Sequence, residues 1–419
     1  MAQVEADVLA LEIEKVRPRV PTLFDRDDKF YGFISKKPVE VISARDMRIP
    51  LEIRPGGKSG HFDPEGGDLG RGDASRYDKA VIGAVYLKHA MEWTLKSQWA
   101  TDDSRKAVLN NFKDLMAKHM NEFRRFLDAL CMTDGTGVLA TVGTFSVGTG
   151  TAGGDRLTLD SDGFGAKLLR FGQPVNIYDI TLATNKTLGA ERTINFIDYE
   201  NKIVDIFPSV AAGVATDKIV ISGVSATPPV SLLGVPYHHN NASTGSWLGF
   251  TRSTTPEIRA SRVNAGGTLA LPFPRRAINK LGDRVGIDEK MALTAWMHPC
   301  QAQAYEELGQ MVSVIQKQAR EEGLDLYFGE SMQMAGAPVK KSFAWDKKRI
   351  DFITDVWGRA QIKDVDFHEV DGKKIFEVRG TSGGVVTSML MYLVCGFNLF
   401  VDNPAKCSYI DNLTVPSGY

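Results

Sequence analysis

The stretch that decides the fold runs from Pro50 to Tyr77 and reads PLEIRPGGKSGHFDPEGGDLGRGDASRY. It contains seven glycines, two internal prolines and almost no large apolar side chain. The strand-like run RIPLEI leads into it, and the apolar-periodic run AVIGAVYLKHAMEWTLKSQW leads out of it. A loop of this length is uncommon inside a compact domain and is typical of a functional, partner-bound or disordered segment.

Ordering this stretch costs roughly 1–2 kcal/mol of backbone entropy per residue. Because it has so little apolar surface to bury, contacts within its own chain cannot offset that cost. Two interpretations remain open at this point. The stretch is either a flexible surface loop or a loop that contact with another molecule holds in place.

The residues before this stretch also lack a core of their own. Residues 1–46 begin with a short amphipathic piece that stops before Pro18, and an extended, proline-punctuated arm follows. The arm has no apolar periodicity, so we expect it to lie across another part of the molecule or across a neighbour.

Beyond the glycine-rich stretch, residues 102–131 carry the clearest helix signal. Asp102, Asp103 and Ser104 suit the cap and first turn of a helix. One apolar stripe recurs at steps of three and four; it consists of Val108, Phe112, Leu115, His119, Phe123, Phe126 and Leu130. We expect His119, which lies on this stripe, to be a partly buried structural histidine.

The remainder of the chain predicts a mixed α+β fold. Residues 151–235 contain short β-rich runs separated by turn clusters, which indicates a small all-β module. PRRAINKLGDRVGID and PCQAQAYEELGQMVSVIQKQAREEG are typical of helices, and ALTAWM between them of a buried strand. The last seventy or so residues are mostly strand-like.

Composition limits the class of protein. A chain of 419 residues suggests two to three domains, and 43% hydrophobic with 24% charged residues is ordinary globular composition. A formal net charge of -1 argues against a strongly basic nucleic-acid binder but allows a local basic face. We expect neither a membrane span nor a signal peptide. The four cysteines have no CxxC spacing, which predicts reduced thiols made in a cytoplasm.

Two glycine motifs resemble catalytic signatures, and both fail in context. Residues 380–384 fit G-x-S-x-G, but the last histidine, His368, precedes Ser382, whereas the hydrolase order places the base downstream. Residues 148–153 fit G-x-G-x-x-G, but a strand-like run follows them instead of a helix. We therefore predict that residues 148–153 are a hinge between the helix and the β module. No catalytic residue is predicted.

The candidate metal ligands are similarly weak. His238-His239 and His298-Pro299-Cys300 have neither zinc-ribbon nor HExxH spacing, so no metal and no cofactor is predicted. A modest basic patch surrounds Phe343 and Trp345; it consists of Lys340, Lys341, Lys347, Lys348 and Arg349. We interpret this patch as a solvated face, and contact with a nucleic-acid backbone is the alternative.

In joint order, these parts resemble a tailed-bacteriophage major capsid protein of the Hong Kong 97 phage type. The stretches that carry the resemblance follow one another along most of the chain: PTLFDRDDKFYGFI, the loop that RIPLEI leads into, the helix at 102–131, GFTRSTTPEIRA and MYLVCGFNLFVDNPAKCSYI. GFTRSTTPEIRA resembles the G-[IF]-x-R-S-x-x-P-x-x-R-A stretch of that family. The last stretch resembles the family's closing strand with its Asn403-Pro404 turn.

The resemblance implies an α+β fold with an N-terminal arm, an extended loop called the E-loop, a spine helix, and peripheral and axial domains. The implied segments are the arm (1–46), the E-loop and its flanks (47–100), the spine helix of the peripheral domain (101–150), an inserted small β module (151–235), an axial-type α/β domain (236–345) and returning strands of the peripheral domain (346–419).

The resemblance also implies a function: self-assembly into pentamers and hexamers of an icosahedral shell around double-stranded DNA. The charged loop residues expected to pair across subunits are Arg54, Lys58, Glu65, Asp68, Arg71 and Asp73. The implied partners are further copies of the chain, a scaffolding protein, a portal, an optional decoration protein and non-specifically contacted DNA, with no membrane. The implied location is the virion capsid, assembled in the host cytoplasm.

Two other functions are weighed against this one. The first is another self-assembling virion protein, such as a tail-tube or decoration subunit, which the long helix and the α/β region disfavour. The second is a nucleotide-dependent oxidoreductase built on residues 148–153, which the missing helix after those glycines disfavours.

Overall fold

The computed structural model describes residues 29–37, 40–41, 46–61, 65, 71–94, 111–160, 166–187, 190–223, 227–286, 292–317, 333–370, 372–379 and 385–417. These residues form two compact units. Unit 1 draws on the described residues within 1–33, 84–128 and 361–397, and unit 2 on those within 34–83, 129–360 and 398–419. No helix among the described residues combines the length and the apolarity that crossing a membrane requires.

Unit 1 is built around one long strand. Its helices are α1 (Lys29–Phe33) and α2 (Asn111–Leu130), and its strands are β4 (Val85–Thr94), β18 (Trp357–Phe367), β19 (Phe376–Arg379) and β20 (Val385–Val401). Three of these elements, α2, β18 and β20, continue into unit 2. Strand β20 pairs with β18, β19 and β4. Its pairing with β4 is antiparallel and runs from Ser388↔Thr94 to Phe397↔Val85.

Helix α2 provides the apolar face of this unit and also caps α1. Phe123 and Leu127 are buried. The Asp128 carboxylate accepts the backbone N–H groups of Phe30 (3.0 Å) and Tyr31 (2.8 Å). A carboxylate at a helix N-terminus satisfies donors that have no partner within the helix.

The predicted helix is therefore present over Asn111–Leu130, and residues 102–110 lie outside the described residues. The arm differs from the expectation at one point, because residues 29–33 are helical and not extended. The reason is the Asp128 cap together with burial of Phe30, which a composition-based argument does not detect.

Unit 2 contains a closed six-stranded barrel. Its strands are β5 (Val138–Ser146), β6 (Asp155–Leu159), β7 (Pro174–Tyr178), β8 (Arg192–Asp198), β9 (Ile203–Phe207) and β10 (Lys218–Ile221), in the spatial order β10-β5-β6-β9-β8-β7. Strands β10 and β7 pair and close the sheet. Closure leaves no unpaired sheet edge. The chain enters and leaves at one place, where Asp134 and Leu233 form a β-bridge.

The barrel corrects the prediction for residues 148–153. These residues join β5 to β6, so they form a turn inside the barrel and not a hinge between a helix and the module. Backbone N–H groups in the turn are held by two carboxylates: Gly148 donates to Asp155 (2.8 Å) and Thr151 to Asp205 (2.9 Å). Gly148 and Gly153 also have φ of 69° and 77°, a backbone conformation that favours glycine.

The second part of unit 2 is a six-stranded sheet covered by helices. The sheet has the order β13-β21-β17-β14-β16-β15, with β13 (Ser261–Gly267), β14 (Thr294–Met297), β15 (Gln333–Met334), β16 (Ala337–Lys341), β17 (Ile350–Ile353) and β21 (Ser408–Leu413). Helix α4 (Pro272–Val285) packs on β13 and β21, and helix α5 (Pro299–Lys317) follows β14. Short helix α3 (Val235–His238) precedes β11 (Ser246–Trp247) and β12 (Phe250–Thr251).

Two segment boundaries therefore differ from the predicted ones. Strand β5 belongs to the barrel, although residues 101–150 were assigned to the helix segment. Strands β17 and β21 belong to the six-stranded sheet, although residues 346–419 were assigned to another domain. The physical reason is long-range pairing, since β21 lies parallel to β13 in the register Ser261↔Ser408.

Substituting Gly154 is expected to destabilise the barrel. A Cβ at this position would lie 2.0 Å from the carbonyl oxygen of Ile206, and backbone cannot move aside as a side chain does. Gly154→Ala should lower the free energy of unfolding by about 1–3 kcal/mol, measured by urea denaturation. Gly267→Ala is the control, because its Cβ meets no described atom within 4 Å. Equal stability of both variants would contradict the close approach.

Candidate functional site

The glycine-rich stretch is the tip of a long β-hairpin in unit 2. Strand β2 (Asp46–Arg54) pairs antiparallel with β3 (Arg76–Gly83), from Asp46↔Gly83 at the base to Arg54↔Arg76 at the tip. Strand β1 (Glu40–Val41) adds to the free edge of β2. Apolar and polar residues alternate along β2, which is the pattern of a strand with one covered face.

Burial falls steeply from the base of the hairpin to its tip. Met47 and Ile82, which face each other at the base, are both 0% exposed, whereas Tyr77 near the tip is 71% exposed. The base is held by its own unit, because the backbone N–H of Val81 donates to the carbonyl of Leu248 (3.2 Å). The hairpin therefore has a packed base and a tip that its own unit leaves uncovered.

Two glycines close the neck of the tip. The backbone N–H of Gly57 donates to the carbonyl of Asp73 (2.8 Å), and that of Gly56 donates to the Ser75 hydroxyl (3.0 Å). A Cβ on Gly56 would lie 2.4 Å from the Asp73 carbonyl oxygen. Gly57 has a φ of 107°, a conformation that favours glycine. Gly56 is therefore required by the close approach of the two chain segments, and Gly57 by its backbone conformation.

Three of the six predicted contact residues form ion pairs within the chain. Arg54 Nε lies 3.0 Å from Glu257, and Lys58 Nζ lies 3.3 Å from Asp73. All four side chains are between 42% and 70% exposed. Exposed pairs of this kind contribute about 0–1 kcal/mol. They orient the tip without holding it firmly.

Of the other three predicted contact residues, the structure describes two. Glu65 and Arg71 are exposed, and Asp68 lies outside the described residues. Pairing of these six side chains across subunits stays a prediction. The sequence analysis gave no role to Glu257, which is the intramolecular partner of Arg54, nor to the exposed Tyr77. The one sequence feature that could have pointed to Glu257 is its position inside the motif GFTRSTTPEIRA.

That motif begins directly after Leu248, whose carbonyl accepts the hydrogen bond from the hairpin base. The guanidinium of Arg252 is buried and donates to the carbonyls of Asn240 (2.9 Å) and Tyr237 (3.0 Å). The Tyr237 hydroxyl in turn accepts from the backbone N–H of Leu248 (3.0 Å), the residue that bonds to β3. Arg252 therefore fixes the shape of the loop that receives the hairpin.

The histidine pair next to this loop is structural. His238 accepts a hydrogen bond from Trp247 Nε1 at Nδ1 (3.0 Å), and its Nε2 donates to the carbonyl of Leu399 (3.1 Å). Burial lowers the pKa of His238 to about 3, so the ring is neutral near neutral pH. Both ring nitrogens are occupied by protein partners, which leaves neither of them to bind a metal.

His239 is occupied in the same way. Its Nδ1 lies 2.7 Å from an Asp351 carboxylate oxygen, and its Nε2 accepts from Trp357 Nε1 (3.2 Å). Arg349 also donates to Asp351, with 2.9 Å between its Nε and each carboxylate oxygen. Burial lowers the pKa of His239 and outweighs the opposing effect of Asp351. Within the described ranges, no three metal-ligating side chains converge.

The whole chain is similar in structure to capsid proteins. It matches a chain of the cyanophage A-1(L) capsid asymmetric unit with a TM-score of 0.56 and 12% identity, covering 96% of this chain and 97% of that one. The mature capsid of bacteriophage PhiM1 matches with a TM-score of 0.47 and 10% identity, covering 94% of this chain and 90% of that one. The capsid of Myoviridae phage XM1 gives 0.46 and 10%, covering 96% and 98%.

No protein-family model and no curated protein matches the sequence. At 12% identity the likeness to the cyanophage capsid chain shows the fold. The predicted mixed α+β fold, that of a phage capsid protein, is confirmed.

The neutral, buried His238 predicts that acid destabilises the protein. The unfolded state takes up a proton below about pH 6.5, whereas the native ring does so only near 3, so stability is lost as the pH falls through this window. Between pH 6.5 and 5 this histidine alone should account for about 2 kcal/mol. His238→Gln should remove that part of the pH dependence in denaturant titrations at the two pH values.

The matched control for this measurement is His61→Gln, because His61 is exposed. It should leave the difference between the two pH values unchanged. If wild type and His238→Gln lose stability equally on acidification, the neutral buried state of His238 is wrong.

Proposed function

We propose that this chain is a major capsid protein that self-assembles into the pentamers and hexamers of an icosahedral shell enclosing double-stranded DNA. One observation supports this above the others. The structural match to the cyanophage A-1(L) capsid chain covers 96% of this protein and 97% of the capsid chain. A likeness over the full length of both chains indicates a common architecture, where a shared domain alone would cover only part of each.

The hairpin supplies the mechanism of assembly. Its base is packed in its own unit, while Tyr77 and the tip are uncovered. A neighbouring subunit that covers the tip gains the apolar area of Tyr77 and orders the charged residues around it. The candidates for pairing across this contact are Arg54, Lys58, Glu65, Asp68, Arg71 and Asp73. Such a contact joins two different surfaces, and heterologous contacts of this kind close into rings.

Each part of the structure is assigned to a part of the capsid fold. In this proposal the hairpin is the E-loop, unit 1 with α2 as its spine is the peripheral domain, and the six-stranded sheet is the axial domain. The barrel is the inserted module. Residues 1–46 are the arm that reaches neighbouring subunits.

The proposal includes partners and a location. The chain assembles with further copies of itself, a scaffolding protein and a portal in the host cytoplasm, and it remains in the virion capsid. A decoration protein is an optional partner, and packaged DNA is contacted non-specifically. The role is structural and not enzymatic.

Assembly of the expressed protein tests the proposal. Sedimentation should show species far larger than a 46.0 kDa monomer, alone or with a co-expressed scaffolding protein. Negative-stain electron microscopy should show closed spherical shells. A protein that remains monomeric in both conditions would contradict the shell function, and tubes would favour a tail-tube subunit.

Tyr77→Ser tests the hairpin contact separately. Because Tyr77 is 71% exposed, the variant should fold with a melting temperature like that of wild type and yet form few or no shells. Phe171→Ser is the matched control, since that aromatic side chain is 76% exposed on the barrel, and it should assemble normally. Shells from Tyr77→Ser in wild-type yield would refute a role for the hairpin tip.

A further inference from the structure

Helix α4 presents a row of cations to solvent. One side of the helix is buried and packs on β13 and β21. On the exposed side, Arg276, Lys280 and Arg284 follow one another at steps of four residues. Residues at this spacing are neighbours on a helix surface, with about 6 Å of axial rise between them. The three cations therefore form one row about 12 Å long.

Hydrogen bonds to backbone carbonyls hold this row in place. Lys280 Nζ donates to the carbonyl of Arg262 (2.9 Å), and the Arg284 guanidinium donates to the carbonyl of Arg259. Arg259 itself donates through Nε to the carbonyl of Arg252 (3.0 Å). A carbonyl orients a cation but leaves its net charge in place. Four cations of unit 2 make up what we call the α4 basic face: Arg259, Arg276, Lys280 and Arg284.

The charge of this face is not neutralised within the chain. Among the described residues, none of its four cations forms an ion pair with a carboxylate. Glu257, the acidic residue closest in sequence to Arg259, is paired with Arg54 instead (3.0 Å). Burial lowers the pKa of Arg284, the charge of Arg259 lowers it further, and Glu257 opposes this with a smaller effect. Arg284 therefore lies in a field that is more positive than negative.

Two other cations of unit 2 show the contrast. Arg262 lies 2.7 Å from Asp411, and Lys341 of the predicted basic patch lies 2.6 Å from Glu306. Helix α4 carries four cations and one carboxylate, that of Asp283, which forms no ion pair within the described part of the chain. A chain with a formal net charge of -1 therefore concentrates positive charge on this helix.

The chemistry of this face fits a nucleic-acid backbone better than a protein. From Arg275 onward, the exposed side chains of α4 are all charged or polar. A contact between two proteins usually has an apolar core, whereas protein–DNA contacts are more polar and much more positively charged. Duplex DNA carries a negative charge about every 1.7 Å along its axis, and guanidinium groups bind phosphate through paired N–H donors. We propose that the α4 basic face binds the phosphate backbone of duplex DNA irrespective of base sequence.

This inference rests on the proposed function for its partner, since the proposed shell encloses duplex DNA. The test uses the full-length unassembled chain and a fluorescein-labelled duplex of mixed sequence, with fluorescence anisotropy measured between about 50 and 200 mM NaCl. Arg276→Gln/Lys280→Gln removes two charges and retains good helix formers. It should weaken binding at least about tenfold and make the log–log salt slope shallower by about 1.8, because each phosphate contact contributes about 0.9.

Asp283→Asn tests the same face in the opposite direction. This variant removes the carboxylate that lies three residues after Lys280 on the exposed side of α4. Because DNA would no longer be repelled there, its binding should tighten a few-fold. Unchanged or weaker binding by Asp283→Asn would overturn the inference, even if the double variant did not fold.

The charge-matched control is Lys363→Gln/Lys373→Gln, which alters two exposed lysines of unit 1. It should bind DNA as wild type does, and thermal melting verifies that each variant is folded. Wild-type affinity and slope in Arg276→Gln/Lys280→Gln would overturn the inference, as would an equal loss in the control.

Two further measurements identify the occupant of the face if it is not DNA. A fluorescein-labelled poly-Glu peptide that binds more tightly than the duplex, and that the double variant no longer binds, would overturn the inference in favour of an acidic protein. Loss of shells in Arg276→Gln/Lys280→Gln with unchanged DNA binding would overturn it in favour of a contact between subunits. If wild type forms no shells in electron microscopy, the proposed function fails, and the DNA titration still decides what this face binds.

Discussion

The antiparallel ladder between β2 and β3 forms the long hairpin of unit 2. It extends from a base where Met47 and Ile82 are fully buried to a tip whose described residues are mostly exposed. Backbone pairing joins the two strands from Asp46↔Gly83 to Arg54↔Arg76. The weak, exposed ion pairs near the tip allow it to exchange one partner for another at little cost.

Elements defined by local pattern were predictable from the sequence. Helix α2 follows from its apolar stripe, and α4 and α5 follow from theirs. The run RIPLEI before the glycine-rich stretch lies in β2, as predicted, and the apolar-periodic run after it lies largely in β3 and β4. The structure modifies one part of that argument, since the hairpin base is held by the chain itself through Val81 and the buried Met47. The entropy argument therefore applies to the tip and not to the whole stretch.

Features set by distant pairing were not predictable. The pairing of β13 with β21 joins segments near residues 261 and 408, and nothing local in either segment indicates the other. The prediction of a hinge at residues 148–153 is wrong, because these residues form a turn inside the barrel, where the carboxylate that holds Thr151 comes from β9. One partner of His238, the carbonyl of Leu399, is also distant in sequence. A side-chain type suggests what a residue can do, but its partners decide what it does.

The place where the barrel joins the chain has a broader consequence. Its first and last strands are neighbours, and the Asp134–Leu233 bridge brings the incoming and outgoing backbone together. A module attached through adjacent ends adds mass without altering the course of the polypeptide around it. The barrel is tied to the rest of unit 2 at this junction and by the hydrogen bond from Lys167 Nζ to the Trp345 carbonyl. Evolution, or an engineer, can enlarge, trim or exchange this module while the host fold keeps its geometry.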